Sequence, residues 1–270
     1  MQVFRQQKKV VLIAVLLVII LIVSLFIIQN TSKPSSTPTP FPTSTSISPK
    51  PTGIGSPTPT NEPTPTSTQT QGPTPSPSLY PGEVTQYQNQ SLTPISGYIK
   101  DLVQHPDVAI EGTQFIDQTT YRLTVNGLVN KTMEYTYEDV VNNFQLSQKV
   151  ATLLCVEGWS VTMLWQGVLV NALLQDAGIN PNATTIIFSA SDGYTTELPL
   201  TYIVQNNLIL AYRINNVTLT PQLGFPLMLV AQNQYGYKWI MWVTGIEASN
   251  DASFLGYWES RGYPNDATVR

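Results

Sequence analysis

Leu153-Leu154-Cys155-Val156-Glu157-Gly158-Trp159-Ser160 is the stretch on which the reading of this chain turns. It closes a β-prone run over residues 149–156 with the only cysteine among 270 residues, then breaks at a glycine. A lone cysteine excludes an intrachain disulfide and every metal site built from several cysteines. Taken alone, a cysteine on a hydrophobic strand is a small core residue, and a thiolate ligand or nucleophile needs a metal or a positive neighbour. The single histidine, His105, lies fifty residues upstream in a polar, proline-flanked region and reads as a surface or capping residue. A Cys–His couple and a Ser–His–Asp triad therefore lack support, and no G-x-S-x-G occurs. Glu157, Asp192, Glu197 and Glu259 offer carboxylates for glycoside chemistry, but their spacing places no two of them across a cleft.

Outward from this stretch the body reads as mixed β with short helices. Residues 120–125 alternate in polarity and stop at Asn126–Gly127, a turn signal. Trp165, Val168, Leu169, Ala172 and Leu173 recur at helical spacing, and Gly178 and Pro181 end that helix. Residues 184–189 form a strand, Asp192–Gly193 a tight turn, and Tyr194–Leu198 the strand after it. Residues 208–212 and 227–231 give two more. A last strand from Lys238 to Thr244 is apolar on both faces, which places it between layers. The glycines are scattered at turns and form no phosphate loop, so a nucleotide-binding α/β domain is not expected.

The chain divides into four segments. Residues 1–9 carry Arg5, Lys8 and Lys9 and no acid. The nineteen residues from Val10 to Ile28 are apolar except for Ser24; at ~1.5 Å per residue they span a bilayer's hydrocarbon as a helix. Basic residues on the N-terminal side favour a cytoplasmic N-terminus and a body outside the cytoplasm. Residues 29–79 contain 13 prolines and 23 serines or threonines, a composition that cannot bury enough apolar surface to fold and reads as a disordered spacer. Residues 80–270 are the globular body, with 8 basic and 16 acidic side chains. Its negative charge disfavours binding a phosphate backbone, so no nucleic-acid partner is expected. Sequons at Asn30, Asn89, Asn130, Asn182 and Asn216 would permit glycosylation outside the cytoplasm.

Cys155–Ser160, Cys-Val-Glu-Gly-Trp-Ser, resembles the metal-binding segment of the sulfite-oxidase-type molybdopterin domain. The likeness is strongest to the branch containing the periplasmic methionine sulfoxide reductase catalytic subunit. It continues in register through Leu123–Val129, Trp165-Gln-Gly-Val168, Leu174–Gly178, Ser191-Asp-Gly-Tyr194 and Leu208–Tyr212. Gly224-Phe-Pro-Leu227, Tyr235-Gly-Tyr-Lys238 and Gly256-Tyr-Trp258 complete it, covering residues 117 to 264. The resemblance implies an α+β fold, the mixed-β sulfite-oxidase-type molybdopterin-binding fold with short helices, here preceded by a transmembrane helix and a Pro/Ser/Thr-rich linker. It implies a molybdenum–molybdopterin cofactor with Cys155 as the one protein ligand to the metal, and two-electron oxygen-atom transfer. Glu157 would stand beside the metal, the alternative being an exposed or capping carboxylate. Tyr235, Gly236, Lys238 and Arg213 would hold the pterin, Lys238 at the phosphate unless it is a solvated strand-end lysine. Trp159 would pack beneath the site.

The departures from the family pattern fall where charge is needed. Gln222 stands near the place of a histidine, Met228 in place of an arginine, and Met241 in place of the second lysine of a K-x-x-K pattern. A phosphate buried without positive charge is costly, and Lys238, Arg213, Arg122 and backbone amides would have to compensate. Gly158 and Trp159 replace the arginines beside the cysteine that bind sulfite, so reduction of a sulfoxide or related oxo compound is expected over sulfite oxidation. With no haem or flavin motif in the chain, such an enzyme needs a membrane haem or quinone-linked electron partner. The head lacks the adjacent arginine pair that exports cofactor-loaded relatives. The competing expectation is a cofactor-free binding or adhesion module displayed on a stalk.

Overall fold

The computed structural model describes residues 80–105 and 109–269. The basic head, the expected anchor over 10–28 and the linker over 29–79 lie outside the described residues, among which no helix is long and apolar enough to cross a membrane. The elements run β1 (Gln86–Tyr87), β2 (Gln90–Ser91), α1 (Ile95–Gln104), β3 (Leu123–Gly127), β4 (Met133–Tyr135), α2 (Tyr137–Asn143), β5 (Ser147–Leu154) and β6 (Ser160–Leu169). They continue with α3 (Val170–Asp176), β7 (Thr185–Ala190), β8 (Thr195–Pro199), α4 (Leu200–Gln205), β9 (Ile209–Ile214), β10 (Val217–Thr218), β11 (Met228–Val230) and β12 (Val243–Ser249).

Two five-stranded sheets carry the body. One has the order β10-β9-β6-β5 with β11 also paired to β9; the other has the order β4-β3-β12-β7-β8. All pairs are antiparallel except β3 with β12. Leu123, Val125, Ile186, Phe188 and Ile246 from the second sheet join Val161, Met163, Trp165, Leu210 and Leu229 from the first in one buried core. The mixed-β expectation is met, and the strands expected at 184–189, Tyr194–Leu198, 208–212 and 227–231 appear within a residue or two. Short helices cover the edges; α2 is started by a capping box in which Thr136 and Asp139 satisfy each other's backbone N–H.

Two expectations are corrected. The helix-spaced set beginning at Trp165 is strand as far as Leu169, and only Val170–Asp176 is helical. β6 lies between β5 and β9, and its residues 163–168 are buried on both faces by other elements, so alternation disappears from its sequence. Gly167 lies against β9 at a register shift, where a Cβ would meet the Leu210 carbonyl oxygen at 1.9 Å. The second correction concerns Lys238–Thr244, which is not a strand. Gly236–Lys238 is a 3-10 turn, the chain is irregular to Trp242, and the strand starts at Val243. Trp242 has φ of 54° and its indole donates to the Pro221 carbonyl at 2.8 Å. The apolar residues on both sides of this segment therefore reflect enclosure by other elements, not a place in a ladder.

Candidate functional site

Cys155 sits at the tip of the β5–β6 hairpin. The ladder ends at the Leu154–Ser160 pair, and the turn is closed by Cys155 N–H donating to the Trp159 carbonyl (2.9 Å) and Gly158 N–H to the Cys155 carbonyl (3.1 Å). Gly158 takes φ of 91°, a conformation that favours glycine. The segment around Tyr235 crosses beside this tip: Leu154 bridges Tyr235, and a Cβ on Gly236 would lie 3.5 Å from Cys155 Cα.

The hairpin tip forms one wall of a cavity of ≈ 100 Å³. Around Cys155 and Glu157 stand Tyr98 and Leu102 from α1, Trp159, Tyr194, Met228, Gly236, Tyr237, Trp239, Met241, Trp258 and Tyr263. The thiol is half-buried and points its hydrogen at Glu157 Oε2, 3.6 Å away. That same carboxylate oxygen is 3.2 Å from His105 Nδ1, and the His105 ring stacks on Trp159 at 5.9 Å. His105 is a capping residue as expected, the C-cap of α1, and the docking of that helix brings it back to the cysteine hairpin. Nothing in the spacing signals this, since the approach depends on how α1 docks.

Burial, with the Glu157 charge adding to it, pushes the Cys155 thiol above its ordinary value. No cationic side chain lines the cavity to oppose this. The free thiol is therefore expected to react slowly with iodoacetamide at neutral pH, with the rate climbing only above the usual thiol range of ~8.5. Alkylation followed by mass spectrometry across pH 6–10 checks this; a thiol modified at pH 7 as fast as free cysteine overturns it.

The remaining expected site residues scatter. Lys238 is fully buried, with its ammonium 2.6 Å from Glu259 Oε1 and 3.6 Å from Glu197 Oε1. It also donates to the Glu197 carbonyl (2.9 Å) and to Asn265 Oδ1 (3.1 Å). It is thus neither a solvated lysine nor open to the cavity. Glu197 and Glu259 meet, but around a lysine in the interior and not across a cleft. Arg213 lies exposed on β9, 5.9 Å over the Tyr212 ring, and Arg122 donates to the carbonyls of Thr119 and Tyr121; neither lines the cavity. Asp192 closes its own turn, accepting from Tyr194 N–H, and holds Ile110 N–H.

Residues 110–258 match the family described as oxidoreductase molybdopterin binding domain. The chain belongs to this family. An uncharacterized oxidoreductase, YuiH of Bacillus subtilis, is 36% identical over 54% of this chain and 74% of its own length. The protein-methionine-sulfoxide reductase catalytic subunit MsrP of Gluconobacter oxydans is 27% identical over 60% of this chain and 57% of its own. Among solved structures, the sulfane dehydrogenase SoxCD from Paracoccus pantotrophus superposes with a TM-score of 0.50 at 24% identity, covering 53% of this chain and 41% of that one. That likeness speaks to the fold.

Whether a molybdopterin suits this member is decided by its donor set. Among the described residues no group of three or more His, Cys, Asp or Glu side chains is arranged to hold a metal, and Cys155 is the single thiol donor. The pterin's phosphate finds no match. Met228 and Met241, the positions at which the resemblance implies an arginine and a lysine, line the cavity, and Lys238 is already engaged by two carboxyls. A multiply charged anion in such surroundings would be desolvated without compensation. The volume, ≈ 100 Å³, is also well below the roughly 300 Å³ at which pockets for ordinary organic ligands begin. The single thiol suits a thiolate ligand to a metal, and no lysine or arginine side chain lines the cavity beside it to meet a phosphate.

Proposed function

We propose that the globular body is a small-ligand binding module built on the molybdopterin-binding oxidoreductase fold, displayed on a membrane-anchored stalk. What carries this reading is the cavity beside Cys155: seven aromatic rings and two thioethers surround it, and Glu157 is its only charged lining residue. The basic head, the apolar run over 10–28 and the proline-rich spacer support a single-pass arrangement with the body outside the cytoplasm. Asn89, Asn130, Asn182 and Asn216 are all exposed, as glycan acceptors there must be.

Native purification followed by molybdenum analysis and assay of the fluorescent oxidised pterin tests the proposal. Both are expected at background. Stoichiometric metal and pterin would overturn it and establish the second reading, a molybdopterin-dependent oxidoreductase reducing a sulfoxide or related oxo compound with electrons from a membrane haem or quinone-linked partner. That reading is favoured by the position of Cys155 on the cavity wall and by the likeness to MsrP. Under it, Cys155→Ser abolishes metal retention; under the first, the substitution leaves binding in the cavity nearly unchanged.

A further inference from the structure

We infer that a second cavity, at the C-terminal end of β8, binds a guanidinium group. It shares no lining residue with the cavity beside Cys155, so the inference stands whether or not that cavity holds a cofactor.

The second cavity measures ≈ 360 Å³, inside the range of about 300–1,000 Å³ that accommodates ordinary organic ligands. It lies between the start of β7, the end of β8, Tyr202 of α4 and the segment over residues 265–268. Several of its side-chain donors are turned into the protein. The Tyr202 hydroxyl donates to the Gln232 carbonyl and the Thr268 hydroxyl to Asp266 Oδ1. Gln234 Nε2 donates to Thr268 Oγ1 at 3.4 Å, and Asn265 Nδ2 to the Phe254 carbonyl at 3.5 Å. The charged groups on its wall are acceptors, the carboxylates of Glu197 and Asp266, each with about four lone-pair sites. No lysine, arginine or histidine lines it.

The charge balance behind the wall points the same way. Lys238 brings one positive charge to two buried carboxyls, 2.6 Å from Glu259 Oε1 and 3.6 Å from Glu197 Oε1. Its donors go to Glu259, the Glu197 carbonyl and Asn265 Oδ1. Glu259, the better compensated of the two, is not on the cavity wall, whereas Glu197 is. Burial pushes the Glu197 carboxyl above its ordinary range, and Lys238 offsets this only in part. A cation entering the cavity meets the negative charge that the lysine leaves over.

This combination selects among ligands. An anion is opposed by Glu197 and Asp266. A sugar hydroxyl presents acceptors that need donors, and those of Tyr202 and Thr268 are engaged. A guanidinium has five N–H donors and no acceptor, and it forks onto carboxylate oxygens. Its weakly hydrated faces suit the Tyr202 ring and the apolar Leu198 and Pro199 beside it. A lysine ammonium is a compact, strongly hydrated charge and forgoes those contacts.

Isothermal titration of the detergent-solubilised full chain tests the inference. The probes are methylguanidinium and the N-acetylated, C-amidated tripeptide glycyl-arginyl-glycine. Saturable binding is expected; a tighter tripeptide identifies an arginine of a polypeptide as the ligand, and equal affinities a free guanidinium compound. The corresponding lysine tripeptide is expected to bind about tenfold more weakly than the arginine one. Glu197→Gln is expected to weaken binding about tenfold, that is about 1.4 kcal/mol, the scale of one charge-assisted hydrogen bond. Since Glu197 also faces Lys238, Asp266→Asn on the exposed C-terminal segment serves should that variant fail to fold, with a several-fold loss expected. No saturable binding of either probe, equal affinity for the lysine tripeptide, or undiminished affinity in the folded variants overturns the inference.

Discussion

Replacing Lys238 with methionine is expected to lose most of the stability of the body. Lys238 is fully buried and compensates two carboxyl groups, Glu197 and Glu259, themselves nearly inaccessible. Removing one partner of a buried ion pair typically costs about 3–5 kcal/mol, because the charge left behind has neither water nor a counter-ion. Against a typical domain stability of about 5–15 kcal/mol this is a large fraction. The environment is tight on every side. Glu259 Oε1 also accepts from Thr196 Oγ1 at 2.8 Å, and a Cβ on Gly256 would come within 2.6 Å of Glu259 Oε2. Urea unfolding of the lysine and methionine forms measures the loss.

The pH dependence gives this prediction a signature. Burial already raises the Glu197 carboxyl above its ordinary 4.5, and Lys238 is the main influence holding it down. Without Lys238 the folded-state value climbs further. A carboxyl whose folded value is raised contributes stability below its unfolded value and loses it as pH rises through the folded one. The deficit of the methionine form is therefore expected to be smallest near pH 4.5 and to grow toward neutrality. A deficit independent of pH would show that lysine's packing, and not its charge, is what the interior requires.

Trp165→Ala is the second large effect, expected to cost about 3–5 kcal/mol. Trp165 is completely buried, and its indole N–H donates to the Ala151 carbonyl across the β5–β6 pair at 3.0 Å. Its ring contacts Tyr98 edge-on at 6.3 Å and Trp239 at 5.3 Å. Both of those residues line the Cys155 cavity, so the loss of stability is expected to come with a rearranged cavity wall. Urea unfolding measures the loss, and an unchanged midpoint would show that the buried ring is dispensable.

Much of the body was legible because its motifs sit at turns. Gly178, Gly193 and Gly158 all take positive φ, and each marks a place where the strand or helix before it must stop. The stretch from Leu153 to Ser160 was legible for the same reason: an apolar strand, then residues that cannot continue it. β6 and the Lys238–Thr244 segment differ from expectation where burial on all sides removes periodicity, since a strand covered on both faces looks the same in sequence as a buried helix. The fate of Lys238 was equally hidden. A lysine near a strand end is ordinarily solvated, and only the convergence of Glu197 on β8 with Glu259 near the C-terminus makes it an interior counter-ion.

By itself the order of residues determined the family, the single thiol and the methionines at 228 and 241, because each is a matter of residue type and local spacing. The tertiary structure alone decided that His105 returns to Glu157, that Lys238 is consumed in the interior, and that the space beside Cys155 is small, aromatic and free of lysine and arginine. Those properties belong to side chains far apart in the chain, and their meeting is fixed by how the sheets and α1 pack together, which local pattern does not encode.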